Sequence, residues 1–197
     1  MAACVVGTVA LFLLAWANAT FPGDEWALLR FQSLRADWLD SAALAFAKMG
    51  LIWVFLPFFA FLIGFLLLVR RYADAAMVVG GMAMIGIGYA LKPLVDRPRP
   101  DHQLFDAVQS SFSFPSGHSL LAVMMLGILV YLVEQLVKPL AVRRAIQIGL
   151  VLTVLAMGAS RVYLGVHWPS DVIGSYVFGL LALVALIGLR NAAASAR

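Results

Sequence analysis

Residues 172–189 read V-I-G-S-Y-V-F-G-L-L-A-L-V-A-L-I-G-L, eighteen positions without a charged side chain. An α-helix rises about 1.5 Å per residue and a bilayer's hydrocarbon core is about 30 Å thick, so this run predicts a membrane-crossing helix. The remainder of the chain has the same character. Of 197 residues, 63% are hydrophobic and 12% charged, with a mean hydropathy of +0.97, against about 45–50% and about 25% in water-soluble domains. This balance excludes a soluble globular protein. It also excludes a disordered one, which would combine low hydrophobicity with high net charge.

Working outward, five more apolar stretches meet the same criterion: 2–19, 42–69, 75–91, 119–137 and 145–159, the last continuing through Arg161 to about Leu164. None alternates polar and apolar residues over about ten positions, which argues against barrel strands. The expected fold is all-α: an integral membrane bundle of six transmembrane helices, forming a single domain over residues 1–197. Pro57 predicts a kink within the second span. Residues 20–41 place Trp26, Leu29, Phe31, Leu34, Trp38 and Leu39 among Asp and Arg side chains, the pattern of a short interfacial helix after the first span. Ala17, Asn18 and Ala19 fit the small-residue pattern of a signal-peptide cleavage site, but the basic segment that should come first is missing, so the first span is expected to be retained. The lone Cys4 reads as a small hydrophobe, and residues 191–197 as a frayed end.

Charge distribution sets the orientation. With the amino terminus in the cytoplasm, the inner side carries seven basic residues (Arg70, Arg71, Lys138, Arg143, Arg144, Arg190, Arg197) and two acidic ones (Asp74, Glu134), a net +5; the remaining seven basic and eight acidic residues leave the outer side at −1. This is the asymmetry of the positive-inside rule, and it puts the amino terminus in the cytoplasm. Nucleic acid is not an expected partner, because no contiguous basic patch lies on a soluble face.

Polar residues that resist a packing explanation fall in three places: K-P-L-V-D-R-P-R-P from Lys92 to Pro100, P-S-G-H from Pro115 to His118, and S-R-V-Y-L-G-V-H-W-P-S-D from Ser160 to Asp171. The first two share a loop, and two crossings separate the second from the third, so all three emerge on one membrane face. Lys92, Arg99 and Arg161 then gather three cations at the membrane boundary, where unpaired charge is costly and usually functional. Such a cluster suits a phosphate, which guanidinium forks bind in bidentate fashion. Ser116 and Gly117 precede the fourth span, where N–H groups of a helix start can face the same anion. Two histidines complete the set: His118 and His167 can serve as proton donor and nucleophile. Asp171, four residues beyond His167, can accept from one ring nitrogen and free the other. Pro169 is expected in the first turn of the last helix, with His167 just before it.

Taken singly, Lys92 reads as a snorkelling anchor and a membrane-edge histidine as structural. The ordered pattern K-x6-R-P (Lys92, Arg99, Pro100), P-S-G-H and S-R-x5-H-x3-D (Ser160, Arg161, His167, Asp171) resembles the three-part signature of the type-2 phosphatidic acid phosphatase superfamily. That resemblance implies a phosphohistidine on His167, orientation by Asp171, acid catalysis by His118, phosphate binding by Lys92, Arg99, Ser116, Gly117 and Arg161, and no metal or cofactor. The substrate it implies is a lipid phosphomonoester or pyrophosphate, such as undecaprenyl pyrophosphate, phosphatidylglycerol phosphate or phosphatidic acid, with membrane lipids as surroundings.

Two alternatives use the same features: a lipid phosphotransferase, and a transporter of anionic lipids. Transport sites favour the midplane of repeated halves, and no repeat is present here. His102 could complete a three-histidine zinc site, but no paired ligand spacing accompanies it. Asp96, Asp101 and Asp106 read as solvated loop charges, Asp96 or Asp101 pairing with Arg97. Arg97 lies outside the signature and is expected to tolerate lysine. Phe105, Phe112 and Phe114 suit either lipid contact or loop packing.

Overall fold

The computed structural model describes residues 2–105 and 111–195. Asp106 and Arg197 lie outside the described residues, and so does the side chain of Cys4. Every element among the described residues is helical: α1 (Ala2–Ala17), α2 (Asp24–Gln32), α3 (Asp37–Met49), α4 (Ile52–Leu68), α5 (Tyr72–Val95), α6 (Gly117–Leu136), α7 (Leu140–Tyr163) and α8 (Pro169–Ser195). Only helices and closed barrels satisfy every backbone polar group inside hydrocarbon, and apolar runs this long form the helices.

Four helices, α5 to α8, are long and apolar enough to cross a membrane, and α3 with α4 adds a fifth if the bent pair is one span. The protein is therefore an integral membrane protein of helical type. Its surface supports this, since large apolar side chains such as Trp53, Phe61, Leu68 and Leu94 face outward. At the centre, α5 packs against α4 and α8, while α8 also meets α1 and α6, and α7 meets α3 and α6. Val78, Ile85, Leu120, Met124, Met125, Ile128 and Leu183 fill the shared core.

Several boundaries differ from the sequence expectation. The predicted second span is two helices, bent by 52° between Met49 and Ile52, whereas Pro57 sits inside an unbroken α4. Gly50 lies at this bend with His118 packed beside it: a Cβ at position 50 would lie 2.6 Å from the imidazole Nε2. Pro57, the sixth residue of α4, removes the bond that its N–H would have made to the Trp53 carbonyl, and α4 runs on past it. Segment 20–41 is likewise not one helix: α2 ends at Gln32 and α3 starts at Asp37. The tail does not fray at 191, since α8 continues through Ser195, with Tyr131 donating to the Asn191 side chain at 2.7 Å. Two local expectations hold. The helix carrying Arg161 ends at Tyr163, and α8 begins at Pro169 with His167 just ahead of it. Inside α6, residues Ala122–Leu126 form a π-helical turn.

Candidate active site

The three motifs converge at one end of the bundle. Lys92, near the end of α5, is buried and donates to the Phe112 carbonyl at 2.8 Å. Arg99 leaves the loop after α5 and reaches across the site. Its Nε donates to the Ser111 carbonyl at 2.6 Å, one terminal nitrogen to the Val166 carbonyl at 2.5 Å, and the other to Ser111 Oγ at 3.0 Å. The nitrogen facing Val166 also stands 3.3 Å from His167 Nε2. Arg161, buried in the last turn of α7, makes no side-chain hydrogen bond or ion pair among the described residues, and its Nε is fully enclosed. All three cations are close enough to act on one another electrostatically. Gathering like charges in a buried place is unfavourable without an anion.

His167 follows α7 by four residues and is buried against that cluster. Burial, followed by the charges of Arg99, Lys92 and Arg161, holds its imidazole well below the usual histidine pKa, so the ring is neutral. Burial also lowers the Arg99 guanidinium from its usual value, with Asp171 opposing the shift. Because a guanidinium only donates, the lone pair facing Arg99 belongs to Nε2, and the proton resides on Nδ1. That Nδ1 faces Asp171 Oδ2 at 3.4 Å, without hydrogen-bond geometry. Asp171 is completely buried in the first turn of α8, where its Oδ2 accepts from the Trp168 N–H at 2.9 Å and from the Ser113 hydroxyl.

His118 comes from the first turn of α6. Its Nε2 lies 3.0 Å from the Ala47 carbonyl, and since a carbonyl only accepts, that nitrogen bears a proton. Ser116 caps the same helix: its Oγ accepts from Ser119, while its own N–H donates to Ser175 Oγ at 2.8 Å. The Gly117 and His118 N–H groups remain beyond the reach of any helix carbonyl. A Cβ on Gly117 would lie 2.6 Å from Tyr89 Oη, so glycine lets the tyrosine approach the helix start. A cavity of about 180 Å³ runs beside His118 and Arg161 to Lys48, between Leu44, Leu51, Leu104 and Val166.

Arg97 overturns its sequence reading. It is neither a loop charge nor paired with Asp96 or Asp101; it is 1% exposed and bonds to Asp171 Oδ1 at 2.5 Å and Asp24 Oδ2 at 2.8 Å. The nitrogen that meets Asp171 also donates to Ser170 Oγ at 2.8 Å, and Nε donates to the Ala19 carbonyl at 3.0 Å. Asp24, Ser113, Ser170, Tyr89 and the Ala47 carbonyl were missed as well. One signal was available: a carboxylate buried beside a histidine needs a cation of its own, and Arg97 was the loop arginine left over. His102 sits apart, 46% exposed and 3.4 Å from Glu25. Of the loop aromatics, Phe114 is buried against Gly174 and Phe12, whereas Phe105 and Phe112 are exposed.

A family model of the PAP2 superfamily matches residues 74–194. The chain belongs to the PAP2 superfamily. Over 169 residues it is 31% identical to phosphatidylglycerophosphatase B of Bacillus subtilis (strain 168), covering 83% of this chain and 81% of that one. The crystal structure of a transmembrane PAP2-type phosphatidylglycerolphosphate phosphatase from Bacillus subtilis superposes with a TM-score of 0.80, at 27% identity, over 94% of this chain and 95% of that one. LpxE of Aquifex aeolicus shares the fold at 24% identity and a TM-score of 0.67, over 85% and 96%. This PAP2 chain is thus a membrane phosphatase of the superfamily. The matched segment begins at Asp74, so α1 to α4, with Asp24 and Lys48, lie outside it.

Proposed function

We propose that this phosphatase hydrolyses a phosphomonoester or pyrophosphate of a membrane lipid through a phosphohistidine, with phosphatidylglycerol phosphate first among the candidates and undecaprenyl pyrophosphate and phosphatidic acid next. The observation that carries this reading is Arg161, a buried guanidinium without a hydrogen-bonding partner among the described residues, beside Lys92, Arg99 and a neutral His167. A substrate phosphoryl group would supply the missing anion. The Bacillus subtilis relative favours phosphatidylglycerol phosphate.

In this reading Lys92, Arg99, Arg161 and the start of α6 at Ser116 and Gly117 hold the phosphate. His167 Nε2 attacks phosphorus, and the bond to the leaving oxygen breaks. His118 exchanges its bond to the Ala47 carbonyl for one to that oxygen and protonates it. Asp171 stabilises the positive charge that develops on His167. Water then attacks the phosphohistidine, gives its proton to His118 and releases phosphate, which restores both histidines. The cations supply the charge stabilisation that a metal would otherwise give. The cavity toward Lys48 seats the departing lipid.

The same reading makes residues 1–197 one domain that crosses a bacterial inner membrane six times, through α1, the α3–α4 pair and α5 to α8. The exposed Trp26 and Trp38 support an interfacial place for α2 and the start of α3, and the charge asymmetry supports a site facing the extracytoplasmic side. Phosphate release by the purified protein from a panel of these lipids, with EDTA present, tests the function. No release from any of them would overturn it, and release only on adding zinc or magnesium would overturn the metal-free chemistry. For orientation, Gln103→Cys in a Cys4→Ser background should react with an impermeant thiol reagent in intact cells; labelling only after lysis would reverse the topology.

A further inference from the structure

Asp24 is the first residue of α2, outside the segment that the superfamily model matches, yet it reaches the centre of the site. Its carboxylate accepts from the Arg97 guanidinium at 2.8 Å, the Ser170 hydroxyl at 2.6 Å and the N–H groups of Ser170 and Phe21 at 2.9 and 3.0 Å. Arg97 in turn holds Asp171 Oδ1 at 2.5 Å. Asp24, Arg97 and Asp171 are all at least 96% buried. The chain Asp24–Arg97–Asp171 ends at the nitrogen of His167 opposite the one that faces the cations.

We propose that Asp24 and Arg97 form a positioning pair that fixes Asp171 for its work on His167. The inference rests on the phosphohistidine reading above. Two physical facts require such a pair. First, Asp171 Oδ2 already serves the Trp168 N–H and the Ser113 hydroxyl, so its alignment with His167 Nδ1 depends on what anchors the other oxygen. That anchor is Arg97. Second, an arginine so close to Asp171 would by itself cancel the negative charge that the imidazolium needs. Asp24 takes the opposite edge of the guanidinium and returns the trio to a net −1, which the developing charge on His167 then neutralises. The Ala19 carbonyl, 3.0 Å from Arg97 Nε, and the Phe21 ring, 4.9 Å from its guanidinium carbon, complete the socket. Residues 19–24 therefore belong to the catalytic apparatus, although neither Asp24 nor Arg97 touches the phosphoryl group.

A purely structural pair would change yield without changing turnover per folded molecule, and this separates the two roles. Arg97→Lys keeps the charge but loses the fork, and Asp24→Asn keeps the shape but loses the charge. In each, kcat per folded molecule should fall on the order of 10²-fold, the usual cost of a misplaced catalytic group, while KM for the lipid stays within about threefold. In an Asp171→Asn background, Arg97→Lys should add no further loss, because it acts only through that carboxylate. Unchanged kcat in folded Arg97→Lys or Asp24→Asn would overturn the proposal, as would full additivity with Asp171→Asn. Should neither single variant fold, Ser170→Ala decides: it deletes a hydroxyl shared by Arg97 and Asp24 and should lower kcat several-fold, whereas unaltered kcat would overturn the pair. Wild-type phosphate release and its loss in His167→Ala are measured alongside. If the wild type is inactive, or His167→Ala is active, it is the phosphohistidine reading that fails.

Discussion

The two ends of the bundle treat charge in opposite ways. Asp74 and Lys92 lie eighteen positions apart on α5, about 27 Å along the helix axis, and each is buried. At the Asp74 end, every charged group that enters the bundle meets its opposite. Arg190 donates to Asp74 at 2.7 Å, Arg71 donates to its other oxygen, and Arg143 faces Glu134 at 3.3 Å. At the Lys92 end, four cations (Lys92, Arg97, Arg99, Arg161) share two carboxylates, Asp24 and Asp171. Arg97 takes both carboxylates, and Lys92, Arg99 and Arg161 are left to backbone carbonyls, to a hydroxyl, or without any partner among the described residues. Paired charge anchors helices. Unpaired charge at equal depth is stable only as part of a binding site.

That contrast is open to direct attack, and the largest effect should come from the group beside the unpaired cations. His167→Ala is expected to reduce turnover at least about 10³-fold while the protein still elutes as a folded species. Acid-labile phosphate trapped on the wild type should be missing from the variant, and undiminished phosphate release would remove His167 from the mechanism. Next comes a matched pair across the bundle. Arg161→Lys should cost about 10² in kcat/KM with little change in thermal stability, because a planar fork matches two phosphate oxygens and an ammonium does not. Arg190→Ala should do the reverse, lowering stability by about 1–2 kcal/mol while leaving kcat/KM per folded molecule intact. If the two variants behave alike, the division between anchoring and binding charge collapses.

A subtler test uses pH. In the proposed mechanism His167 must be neutral to attack, and burial with three nearby cations lowers its pKa. The neutral form therefore persists as pH falls through the ordinary histidine value of about 6.5, and the acid limb of kcat/KM should lie below that point. An acid limb at or above about 6.5 would mean that another group governs it or that the cations do not bear on His167. The smallest effect is expected at the rim of the cavity. Lys48→Gln should raise KM a few-fold for a lipid that keeps a second phosphate after hydrolysis, such as phosphatidylglycerol phosphate, and leave KM for phosphatidic acid unchanged. Equal effects on both lipids would make Lys48 an ordinary anchor of α3.

How much of this was legible beforehand varies with the kind of interaction. Spans show themselves in single residues counted along a line, because the cost of hydrocarbon burial is paid position by position. Hence the helices of 75–91, 119–137 and 172–189 were visible, with ends off by a few residues. That Lys92, Arg99, His118, Arg161, His167 and Asp171 can converge was also visible, since loop sharing and an even number of crossings put them on one membrane face. The bend at Gly50 was not. The residue at the bend, Gly50, packs against His118, sixty-eight positions later, and no local propensity encodes that contact. Pro57, the strong local signal, lies inside an unbroken α4.

By itself, then, the sequence determined that this chain is a helical membrane protein with a cluster of cations and histidines at one face, because hydropathy and motif spacing are properties of the chain in order. Only the tertiary structure decided which charges are spent on each other. Arg97 and Arg99 stand two residues apart in one R-P-R-P run, yet one faces Asp24 and Asp171 and the other faces His167. Electrostatic energy depends on distance and burial in three dimensions, so an aspartate at the start of α2 can pair with an arginine seventy-three residues away.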